Sequence, residues 1–187
     1  DLTINGNMIV EGSTFCTLGL AGSLNNTGNI FVNTGLDNFV SIQGDTTITG
    51  GGSITLGGSG AAIGRQQGLP VLTIANQTIQ GHGALGQNSL GIINQASGVI
   101  DANVNGGVLI LDHRSSSQLV NQGTLRSSNG GILRITDAFT NDGVMTTVGA
   151  TSLIDVNSAL INSAAGEIRG SGELEVSGSL TNNGLIA

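Results

Sequence analysis

The stretch LINSAAGEIRGSGELEVSGSLTNNGLI at 160–186 decides the fold. Its even positions are apolar, Gly, Ala or Asn, from Leu160 and Asn162 through Ile168, Leu174, Val176, Leu180 and Asn182 to Ile186. The odd positions carry Glu167, Arg169, Ser171, Glu173, Glu175 and Thr181, with Ile161 and Leu185 the main exceptions. Such alternation turns one face of a β-strand inward. A single strand of this length would reach about 90 Å at roughly 3.3 Å per residue, whereas ordinary strands run about 3–10 residues. The chain must therefore bend repeatedly without losing its facing. Its Gly and Asn positions tolerate positive φ and supply the bends. The result is a β-solenoid.

Residues 2–62 show the same even-register pattern, from Leu2, Ile4, Met8 and Val10 to Ile48, Ile54 and Leu56. GGSGAAIGRQQGLP at 57–70 holds two Gly clusters and the only Pro, and reads as a loop leaving the solenoid. A second insertion, DHRSSSQ at 112–118, precedes an odd-register run: Leu119, Asn121, Leu125, Leu133, Ile135, Phe139, Asn141 and Met145. The register returns to even near 149–154.

A repeat sits on the alternation. Its core is apolar-x-Asn-x-Gly-x-apolar: LNNTGNI at 24–30, LVNQGTL at 119–125, FTNDGVM at 139–145 and LTNNGLI at 180–186. Longer copies are IINQASGVI at 92–100 and LINSAAGEI at 160–168. Asn94, Asn121, Asn141, Asn162 and Asn182 are spaced 27, 20, 21 and 20 residues apart. These residues, with Asn26, should stack at one corner as an amide ladder. The expected fold is all-β, a single-stranded parallel β-helix of about 20 residues per coil and roughly eight coils. Right-handedness follows from the general rule for parallel crossovers. One domain spans 1–187, with the loop insertions near 57–70 and 112–118.

Composition narrows the function. The chain has 187 residues, 32 of them Gly, a net charge of −7, only 9% charged residues, no Trp and no Tyr. It has no Lys, and its five Arg are scattered, so nucleic-acid binding is not expected. No apolar run is long enough for membrane insertion by a helix. Low charge, a single Cys and abundant Gly, Asn, Ser and Thr point to a secreted or cell-surface bacterial protein. Cys16 falls on an inward position and reads as a small buried hydrophobe.

Several chemical motifs fail on their context. GHGALG at 81–86 matches G-x-G-x-x-G, but no helical period follows it. Asp112, His113 and Arg114 could do acid–base chemistry on a polysaccharide, yet they read better as a solvated corner. His82, between two glycines, is expected to point outward. The Thr pairs at 46–47 and 146–147 do not recur as pairs at coil spacing, as an ice-binding rank would require. No catalytic residue, metal site or cofactor is expected, and the chain is not read as an enzyme. Phe15, Phe31 and Phe39 fall on outward positions and form a candidate contact surface.

LVNQGTLRSSNGGILRITDAFTNDG at 119–143 and the stretch at 160–186 resemble the β-helical repeats of bacterial autotransporter passenger domains and filamentous-haemagglutinin-like surface proteins. The resemblance implies a structural or adhesive module, such as a stalk, adhesin or fibre segment. It also implies a host or neighbouring-cell surface as partner. A polysaccharide-binding or polysaccharide-cleaving β-helix is the alternative. Residues 1–8 match 173–180 in pattern, so a second alternative is an extracellular filament of protomers stacked head to tail. Self-association, head to tail or lateral, is thus a further partner reading.

Overall fold

A computed structural model describes residues 1–12, 16–33, 38–65, 67–115 and 118–187. Among them are 22 strands joined in one continuous sheet, every pairing parallel, and no helix. The chain is a β-solenoid of about eight turns, with a coil spacing of about 22 residues.

One coil shows the plan. Leu119–Asn121, Thr124–Ser128 and Ile132–Ile135 each pair with the strand of the same rank in the coils before and after. The solenoid therefore has three parallel sheets, here called first, second and third in chain order within a coil. Cys16–Asn26, Asn38–Thr49, Ser53–Arg65 and Thr78–Leu85 run through a corner and serve two sheets each.

Inward side chains stack into columns parallel to the rod. In the second sheet the register links Met8, Ile30, Ile54, Ile79, Ile100, Leu125, Met145, Ile168 and Ile186. In the third it links Leu18, Val40, Ile63, Leu85, Leu111, Ile135, Val156 and Val176. Most of these side chains are fully buried. No single coil has an inside. The core exists because each coil covers the next, with the backbone groups of each strand paired to its neighbours.

Two sequence expectations need correcting. Residues 57–65 are not a loop: Ser53–Arg65 is one strand. Its glycines are absorbed as a register shift between Gly57 and Ala62, which leaves Ala61 and Ile63 facing the core. Residues 1–8 do not occupy the place of 173–180 either. Leu2–Ile4 pairs with 24–26 in the first sheet, whereas Glu173–Val176 lies in the third. Pattern similarity carries the alternation of a strand but not its sheet.

Candidate functional site

The corner between the first and second sheets holds the amides. Asn94, Asn121, Asn141, Asn162 and Asn182 share one column of the first sheet. Their side chains form a directed chain. Asn94 Nδ2 donates to Asn121 Oδ1 at 2.8 Å and Asn121 Nδ2 to Asn141 Oδ1 at 2.7 Å. Asn141 Nδ2 donates to Asn162 Oδ1 at 2.9 Å and Asn162 Nδ2 to Asn182 Oδ1 at 2.7 Å. The first four residues are fully buried. Amides that also bond corner carbonyls, such as Asn141 Nδ2 to Gly143 O at 3.0 Å, fix the path of the turn. The motif's Gly is required by the stacking. A Cβ on Gly143 would stand 2.3 Å from the carbonyl oxygen of Gly123, and one on Gly123 would stand 2.3 Å from that of Gln95.

The ladder has a defined start. Ile74 precedes Asn94 in the column, so Asn94 Oδ1 is buried with no hydrogen-bond partner among the described residues. Before Ile74 the column is Ile48, Leu24 and Leu2. Asn26 therefore stands two residues beyond the ladder column and belongs to a different arrangement. Its Nδ2 donates to Gln77 Oε1 at 2.9 Å, and Gln77 Nε2 donates back to Asn26 O at 2.7 Å. Between them the coil turns through Gly50-Gly51-Gly52. A Cβ on Gly50 would lie 2.4 Å from Asn26 O and one on Gly52 2.3 Å from Gly28 O. The missing side chains let two amides meet across the one coil that lies between them.

Phe31 lies in the second sheet and Phe39 in the third, and both are half-buried. Each ring lies against a glycine of the next coil. A Cβ on Gly57 would be 2.8 Å from Phe31 Cζ, and one on Gly64 3.0 Å from Phe39 Cζ. Phe15 lies outside the described residues. Cys16 is free and half-buried against the core.

The 112–114 corner is not solvated as a unit. His113 is fully buried, with Nδ1 donating to the Arg114 carbonyl at 3.1 Å. Arg114 Nη2 donates to Gln118 Oε1 at 2.8 Å. Asp112 accepts from the Thr136 hydroxyl at 2.8 Å, and Asp137 lies 3.3 Å from the same oxygen. His113 and Arg114 are thus joined to each other, while Asp112 is bonded to the next coil through Thr136. His82 takes an outward position opposite Gly57, half-buried beside Val104 and Gly107.

Charge is distributed unevenly around the rod. Asp101 with Arg126 in the second sheet and Arg134 with Asp155 in the third form ion pairs at 2.8 Å between adjacent coils. Among the described residues, the first-sheet strands from Val71–Ile74 to Leu180–Asn182 contain no charged residue, whereas Asp45 precedes Thr46 in Asn38–Thr49 and accepts from Val71 N at 2.9 Å. The outward register of the first sheet runs Thr47, Thr73, Ile93, Val120, Thr140, Ile161 and Thr181, β-branched in seven successive coils. Beside this ridge lies an open hollow of about 400 Å³, lined by Val120, Ala138, Thr140, Asp142, Ala159 and Ile161. The rank is not legible as recurring Thr pairs, since only one residue per coil takes part. The signal is one β-branched residue directly before each corner Asn, as in Ile93-Asn94, Val120-Asn121, Thr140-Asn141, Ile161-Asn162 and Thr181-Asn182. No protein family, no curated protein sequence and no solved structure matches this chain of stacked columns.

Proposed function

We propose that this chain is a non-enzymatic structural module, a stalk or fibre segment of a secreted or surface-exposed bacterial protein. The observation that carries this reading is the unbroken stacking of side-chain columns from one end of the rod to the other. Nine aliphatic layers in the second sheet and eight in the third act as one elongated core. A solenoid of about eight turns, stacked at about 4.8 Å per coil, is a rod about 40 Å long. Each coil adds length without adding a new kind of contact, which is what a spacer needs. The fold also suits an adhesin, with a cell or host surface as the partner of whatever the rod presents.

Immunogold labelling of intact cells producing the full protein, with antibodies raised against residues 119–186, tests the reading. Label at the cell surface or on extracellular material is expected. Label confined to the cytoplasm would overturn it.

A further inference from the structure

An asparagine followed by glycine is a chemically reactive pair, because glycine has no side chain to shield its amide nitrogen. A free glycine nitrogen can attack the carbon of the asparagine side-chain amide. Four such pairs occur: Asn5-Gly6, Asn105-Gly106, Asn129-Gly130 and Asn183-Gly184. They divide between two corners of the coil. The first and last stand at the ladder corner, between the first and second sheets, and the middle two between the second and third. Asn5 lies in the first coil, with none described before it, so the comparison is drawn among the other three. Asn105, Asn129 and Asn183 are all exposed, so access to water does not separate them. What separates them is the glycine N–H. Gly106 N donates to Gly130 O at 2.9 Å, and Gly130 N donates to Ser152 Oγ at 3.1 Å. The side-chain amide of Asn129 is held as well, with Nδ2 donating to Asn103 O at 3.2 Å. At the ladder corner, Asn183 N donates to Asn162 O at 2.8 Å and Leu185 N to Gly166 O at 3.0 Å. Gly184 N, between them, meets no acceptor among the described residues. This is a property of the corner and not of the coil's place in the rod. Gly143, in a coil with a neighbour on each side, also has an N–H without an acceptor among the described residues, and Asp142 before it is exposed.

We propose that Asn183 is a site of spontaneous deamidation, and that hydrogen bonds between coils protect Asn105 and Asn129 from the same reaction. Gly184 N attacks Asn183 Cγ. The new N–C bond closes a cyclic imide, the Cγ–Nδ2 bond breaks, and ammonia leaves with the proton from Gly184 N. Water then opens the ring. Opening at Cγ leaves an aspartate. Opening at the main-chain carbonyl leaves an isoaspartyl link, in which the backbone runs through the former side chain and is longer. The corner has no slack for that product, since even a Cβ on Gly184 would stand 2.2 Å from the carbonyl oxygens of Ser163 and Gly166. The isoaspartyl form therefore loosens the rung from Asn162 Nδ2 to Asn182 Oδ1. Either product adds a negative charge to a chain whose net charge is already −7. The inference presupposes the fold but not the surface location proposed above, so either can fail alone.

Incubation of the intact chain at mildly alkaline pH, with peptide mapping by mass spectrometry at intervals, tests it. Asn183 should convert to the acid roughly three- to tenfold faster than Asn105 or Asn129, the factor that one hydrogen bond to the attacking nitrogen supplies. In denaturing urea, where the bonds between coils are gone, the three should convert at similar rates. Asn183→Gln should abolish the earliest acidic species of the folded chain. Enzymatic methylation of isoaspartate should label the peptide that contains residue 183. Conversion of Asn105 or Asn129 in the folded chain as fast as Asn183 would overturn the proposal. So would an Asn183 that stays an amide in the folded chain while all three convert in urea. A lead for Asn183 that persists unchanged in urea would also overturn it, because the local sequence and not the corner would then set the rate.

Discussion

The same inward column of the first sheet is aliphatic in one half of the rod and amide in the other. It runs Leu2, Leu24, Ile48 and Ile74, then Asn94, Asn121, Asn141, Asn162 and Asn182. The register advances 22, 24 and 26 residues between the aliphatic members, and 27, 20, 21 and 20 between the amides, the 27 spanning the 112–118 insertion. Aliphatic contact is non-directional and tolerates a coil that wanders before returning. An amide bond of 2.7–2.9 Å instead fixes the corner itself, because donor and acceptor must meet at a set distance and angle, and it does so even between Asn94 and Asn121, across a coil of 27 residues. The ladder acts as a ruler for the corner, and the aliphatic column only as a filler.

Substitutions in this column break or sharpen the contrast. The largest effect is expected for Ile48→Asn, which removes a buried aliphatic side chain and buries an amide between Leu24 and Ile74, with no partner above or below in its column. Urea denaturation should show a loss of about 4 kcal/mol or more. Asn141→Ala comes next. It strands Asn121 Nδ2 and Asn162 Oδ1 in the core, for a loss of about 3 kcal/mol by the same measurement. Ile74→Asn is the sharper test, since its Nδ2 would face the orphan Asn94 Oδ1 and extend the ladder by one rung. It should be at least about 1 kcal/mol less destabilising than Ile48→Asn. An equal loss would show that the ladder's directionality does not matter.

The ion pairs give the smallest effects. Arg126→Ala leaves the buried Asp101 carboxylate with only the Ser128 hydroxyl, and a loss of about 1–2 kcal/mol is expected from thermal melts. Arg134→Ala breaks a pair whose arginine is 40% exposed, and should shift stability by about 0.5 kcal/mol or less.

Much of this fold is legible in the sequence, because period-2 facing survives every corner. The even and odd registers identify the inward residues of all three sheets, and the 20-residue spacing identifies the ladder from Asn121 to Asn182. What the sequence does not carry is how neighbouring coils align. Asn26 has the same motif as Asn121 and the same distance to its second-sheet partner column. Only the next coils, with Gly50-Gly51-Gly52 and then Gln77, put it out of line. Gly57 to Gly60 look like a loop because glycine weakens a strand, yet coils on either side hold that segment in the sheet. His113 reads as a polar corner residue, and its burial depends on packing between coils that no local pattern encodes. The β-branched rank of the first sheet is hidden for a related reason. It is a property of one sheet, and the sheet is assembled from residues about 20 or more apart.

Hydrogen exchange of assigned asparagine side-chain amides in ¹⁵N-labelled protein tests the ladder most directly. The Nδ2 protons of Asn94, Asn121, Asn141 and Asn162 should exchange far more slowly than those of the exposed Asn76 and Asn105, with Asn182 nearer the exposed pair. Ladder amides that exchange as fast as Asn76 would contradict the account, because a buried, continuously bonded column cannot do so while the rod is folded.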